Sequence, residues 1–138
     1  MPTASYVKYT PAIESLLENG NAGTNQWAIC LASTVNAADT SFVAGTTDLA
    51  TSGGYTAGGN NVATTSASAS GGTYKLVLVD PAVWTATGGG FTFRYALLVD
   101  KTNNIPVAYW DYGSSQVVAT GETVTVDLDV TTGVFQAT

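Results

Sequence analysis

The stretch RYALLVDKTNNIPVAYWDYG, Arg94–Gly113, decides how this chain is read. Two runs rich in β-branched and aromatic residues flank the polar tetrapeptide KTNN, the pattern of two antiparallel strands joined by a turn. If Asp100 pairs with Ile105 and the register runs on unbroken, Arg94 lies opposite Asp111, Phe93 opposite Tyr112 and Tyr95 opposite Trp110. Side chains alternate between the faces of a strand. Phe91, Phe93, Tyr95, Leu97 and Val99 are therefore expected to share the core face with Pro106, Ala108, Trp110 and Tyr112. Arg94, the chain's only arginine, then shares the opposite face with Asp111 as a cross-strand structural pair. A catalytic role is disfavoured, because a guanidinium stays protonated at any ordinary pH and makes a poor acid or base.

The same alternation continues on either side of this hairpin. QWAICLA reads as a short strand. NVATTSASAS, polar and rich in hydroxyls, reads as an edge strand or arm. TYKLVLVD places Tyr74, Leu76 and Leu78 on one face. GFTFRYALLVD, IPVAYWDYG, SQVVAT, ETVTVDLDV and VFQAT follow, mostly separated by Gly or Asn. Many short strands between regular turns predict an all-β antiparallel sandwich of jelly-roll or immunoglobulin-like topology. One short helix is expected near the N-terminus in TPAIESLLENG, with Thr10 as cap, Pro11 in the first turn, Ile13, Leu16 and Leu17 along one face and Gly20 as the stop.

The 138 residues suit one domain. It divides into an N-terminal segment with the helix (1–20), a long loop or arm (33–72) and the β hairpins (73–138). The arm carries few large apolar groups, and a loop of such length is unusual inside a compact domain. It is therefore expected to serve as a contact surface, with Phe42, Leu49 and Tyr55 as anchors and Trp84, before a glycine run, as a further interface candidate. Its glycine-rich TSGGYTAGGNN lacks the spacing of a phosphate-binding loop.

Composition bounds the chemistry. Only 10% of residues are charged, against roughly 25% in an average globular protein, and the net charge is −6. The four basic residues are scattered, which argues against nucleic acid, and an acidic surface repels anionic membranes. No run is long and apolar enough for a membrane span or a secretory signal. There is no histidine and a single cysteine, Cys30, read as a small buried residue. Zinc and histidine-assisted nucleophilic sites are thereby disfavoured, and no cofactor is expected. Among the carboxylates Asp80, Asp100, Asp111, Glu122, Asp127 and Asp129, the last two point outward from a strand and read as a solvated edge rather than a calcium site or a glycosidase pair. Trp27, Trp84, Trp110, Tyr109 and Tyr112 offer a different function, a sugar-stacking platform with host-surface glycans as ligand.

GGYTAGG, followed by DPAVWTATGGGFTFRYALLVD, PVAYWDYG and GETVTVDLDVTTGVFQ, resembles a group of small structural proteins of tailed bacteriophages. The likeness spans roughly residues 53–137, and ESLLENGNAGTNQWAICLAS is similar to that group's opening. Tyr109 stands where the group carries a first tryptophan. The resemblance implies a non-enzymatic virion component. As a capsid decoration or cement protein it would bind the major capsid protein and copies of itself; the alternative is a tail or baseplate part. Such a protein is made in the host cytoplasm and leaves by lysis.

Overall fold

A computed structural model describes residues 3–12 and 21–138. Ten strands follow one another: β1 (Ser5–Lys8), β2 (Trp27–Ala32), β3 (Asn60–Val62), β4 (Thr64–Ser70), β5 (Thr73–Leu78), β6 (Trp84–Thr85), β7 (Phe91–Asp100), β8 (Ile105–Val118), β9 (Thr123–Val124) and β10 (Phe135–Ala137). They form a five-stranded sheet in the order β1-β8-β7-β2-β3, a three-stranded sheet β10-β5-β4 and a ribbon β6-β9. Every pairing is antiparallel. The chain is thus mainly β. Of the expected N-terminal helix only the start is described, where Ala12 N–H donates to the Tyr9 carbonyl at 3.1 Å. Ile13, Leu16, Leu17 and Gly20 lie outside the described residues.

The hairpin begins in the expected register, Asp100 against Ile105 and Val99 against Pro106. It then slips. Leu98 faces Ala108, so Val107 is an extra residue, and Tyr95, not Arg94, faces Asp111. Proline has no N–H for the ladder, so a bulge beside Pro106 is where the pairing can give. A larger irregularity follows: Phe93 faces Gln116, and Tyr112, Gly113, Ser114 and Ser115 bulge out opposite Arg94. Gly113 takes φ 85° there, and the expected separate strand SQVVAT continues as the end of β8. The face assignment changes with it. Phe93, Ala96 and Leu98 enter one buried cluster, whereas Tyr95, Leu97 and Val99 pack into another. Phe93 and Tyr95 lie on opposite faces because Arg94 interrupts the alternation.

Both faces of β2 and of the second half of β7 (96–100) are buried, which explains why β2 is apolar throughout (WAICLA) and shows no period of two. The larger cluster joins Ile29, Leu31, Leu98 and Val107 of the five-stranded sheet to Leu76 and Leu78 of β5 and Phe135 of β10. The second face is covered by the segment between β2 and β3: Phe42 and Val35 pack against Ala28, Cys30, Leu97 and Val99. The expected arm is therefore half wall and half sheet. Within residues 33–59, Val35 and Phe42 close one face of the large sheet while Leu49 and Tyr55 pack into the larger cluster, and the remainder forms β3 and β4. Of the expected strand ETVTVDLDV only β9 is paired, but Val126 and Leu128 stay buried. Leu128 N–H is held by Asp80 Oδ1 at 2.8 Å instead of by a neighbouring strand.

Candidate functional site

Arg94 and Asp111 meet although the backbone does not place them opposite each other. Arg94 Nε donates to Asp111 Oδ1 at 2.9 Å and its Nη2 to Oδ2 at 3.2 Å, a bidentate contact. The guanidinium carbon lies 5.2 Å from the centre of the Tyr95 ring, so the pair is not on the face away from Tyr95. Asp111 Oδ1 also accepts Gly113 N–H at 2.8 Å. The pair therefore tethers the bulge in β8 to β7. With 38% and 27% of the two side chains exposed, it is screened by water and its contribution is small.

This tether carries a pH signature. The hydrogen bond from Arg94, and then that from Gly113, hold the Asp111 carboxyl below its ordinary value of 3.8. A carboxyl depressed on folding stabilises the native state above its unfolded pKa, and this is lost as pH falls through the lower folded value. Asp111→Asn should therefore lower the urea midpoint at neutral pH, and the gap to the parent should close as pH drops below about 4. A gap that is the same at all pH values would mean the pair does not couple to folding.

A buried carboxylate hub lies at a residue that the sequence did not single out. Asp48, 5% exposed, takes Gly45 N–H at 2.6 Å, Gly58 N–H at 2.7 Å and the Tyr55 hydroxyl at 2.5 Å. The same hydroxyl accepts Leu31 N–H at 3.0 Å. Beside it the Cys30 thiol donates to the Gly58 carbonyl at 3.3 Å, and burial pushes that thiol up to about 12. Such a thiol is a structural residue rather than a nucleophile. TTDLATSGGYTAGG offered only a weak signal for this hub: a lone Asp among hydroxyls, with a Tyr and glycines following.

The four interface candidates fare differently from expectation. Phe42, Tyr55 and Trp84 are buried in the chain's own core, at 6%, 1% and 4% exposure, and Leu49 packs partly buried against it. Phe42 seats the segment on the second apolar face of the large sheet, whereas Tyr55, Leu49 and Trp84 pack into the larger cluster, so all four are occupied within the chain itself.

The carboxylates are spread over local turns. Asp100, fully buried, accepts Asn25 Nδ2, Thr102 N–H and both nitrogens of Asn103, closing the KTNN turn. Glu122 Oε2 accepts Ala119 N–H, and Asp129 Oδ1 accepts the N–H groups of Thr131 and Thr132. Among the described residues no group of three or more acidic or thiol side chains is close enough to hold a metal ion. Of the five expected platform aromatics, Trp27 and Trp84 are in the core. Trp110 and Tyr112 instead line an open groove of about 880 Å³ with Tyr6, Lys8, Asp127 and Phe135. Tyr6 and Trp110 cross at 62° with centroids 5.6 Å apart, so these two rings make no flat surface for a sugar. Comparison of the chain with protein-family models, with curated proteins and with solved structures gives no match.

Proposed function

We propose that this chain is a non-enzymatic structural component of a tailed-phage virion, a decoration or cement protein that binds the lattice of the major capsid protein. We read its two larger sheets, which share one buried cluster, as the layers of an antiparallel sandwich. The observation that carries the functional reading is the use made of the residues on which the resemblance rests. In GGYTAGG, Tyr55 is a core residue and hydrogen-bond hub. Gly53 and Gly59 lie so close to neighbouring backbone that a side-chain carbon on either would overlap it. In FRYALLVD and VAYWDYG, the Arg94–Asp111 pair fixes a bulge. The motif residues are thus occupied with architecture, which suits a building block that acts through its surface. That surface is sparing in charge, so its contacts would rest on hydroxyl and backbone hydrogen bonds more than on ion pairs.

The test is immunogold labelling of intact particles with antibodies raised against the purified chain. Label over the capsid shell is the expected result. Label confined to the tail would move the protein to the tail or baseplate, and purified particles free of the chain would overturn the virion reading altogether.

A further inference from the structure

Among the described residues, β4 is the longest strand at the end of a sheet. It lies at the end of its sheet with β5 on one side only. The other end strands, β1, β3, β6, β9 and β10, have two to four residues each, and β1 carries Lys8. An open strand edge presents a row of unsatisfied N–H and C=O groups, and proteins ordinarily guard such an edge with charge, proline or brevity. β4 has seven residues, TTSASAS, with neither charge nor proline. Its bulge lies between Thr64 and Ser66, so the ladder is regular over Ser66–Ser70.

Three features select the partner. The first is sequence symmetry. Read antiparallel against itself about Ser68, the regular part sets Ser66 against Ser70, Ala67 against Ala69 and Ser68 against its own copy. Hydroxyls then meet hydroxyls on one face, and methyls meet methyls on the other. The second is size, since Ser and Ala let two sheets approach without a clash. The third is charge. From Leu49 to Tyr74 the chain has no charged side chain, the longest such stretch in a molecule of net charge −6. Two copies repel each other least where they meet along this stretch.

We propose that β4 is a homodimer edge: two copies pair antiparallel through Ser66–Ser70 about a two-fold axis at Ser68, joining their three-stranded sheets into one. A two-fold contact of this kind is self-complementary and closed, so it yields dimers rather than fibres. This pairing stands independently of the virion reading, since it follows from the strand alone.

The test is the solution mass by light scattering over a dilution series. The parent should show twice 14.1 kDa. Ser66→Lys with Ser70→Lys sets lysine directly opposite lysine at two positions and should halve the mass, because like charges across a ladder disfavour pairing. Both serines are exposed, so the fold should persist, checked by an unchanged far-UV circular dichroism spectrum. Ser66→Lys with Ser70→Glu sets opposite charges across the same positions and should restore the dimer. A monomeric parent overturns the proposal. So does a lysine pair that stays dimeric, and a Lys–Glu variant that stays monomeric overturns the register.

Discussion

Gly59→Ala should cost about 4–5 kcal/mol of stability, enough to leave little of the folded state in a domain of ordinary stability. The residue has φ 65° and sits where the covering segment passes over β2. A Cβ there would lie 2.2 Å from the Ile29 carbonyl oxygen and 2.8 Å from both Cα and Sγ of Cys30. Two of these are backbone atoms of a strand buried along its whole length, so neither can give way without opening the sheet. Gly71→Ala is the control. It has a similar φ of 60° but open space around it, and should cost only about 1–2 kcal/mol for the left-handed backbone. Urea unfolding followed by tryptophan fluorescence separates the two. Equal midpoints would show that residues 33–59 can lift from β2 at little cost.

The contrast also shows what the sequence could and could not reveal. Class and strand positions were legible because TYKLVLVD, FTFRYALLVD and IPVAYWDYG combine β-branched and aromatic residues between turn formers. The turn at KTNN was legible down to the Asp100–Ile105 pair. Register beyond it was not. Val107 and the four residues 112–115 enter as bulges, and alternation cannot distinguish a bulge from a face change once both faces are apolar. The segment from Ser33 to Gly59 was misread for a related reason. It has few large side chains, but the sheet beneath it supplies them, so Phe42, Leu49 and Tyr55 suffice to seat it. Asp127 and Asp129 were rightly expected to face solvent, although the stretch carrying them pairs with no strand beyond β9. The Asp48 hub was illegible because its donors are mostly backbone N–H groups, whose direction depends on local turns that no side chain announces.

That hub supports the second large effect. Asp48→Ala should destabilise the chain by about 3–5 kcal/mol. The carboxylate is nearly out of water and no lysine or arginine forms a salt bridge with it among the described residues. Its burial is offset instead by three donors, two of them peptide N–H groups that cannot turn elsewhere. Truncation leaves the N–H groups of Gly45 and Gly58 and the Tyr55 hydroxyl without an acceptor. Tyr55→Phe should cost less, about 2 kcal/mol, since the ring keeps its place beside Trp84 and Phe91 while Leu31 N–H loses its acceptor. The two changes should not add. Once Asp48 is gone, removing the hydroxyl also removes a stranded donor, so the double variant should fall short of the sum by about 1 kcal/mol. A urea-midpoint cycle over the four proteins measures this directly. Strict additivity would mean that the short Tyr55–Asp48 contact contributes nothing to holding residues 33–59 on the sheet, and that the glycine contacts alone keep the wall closed.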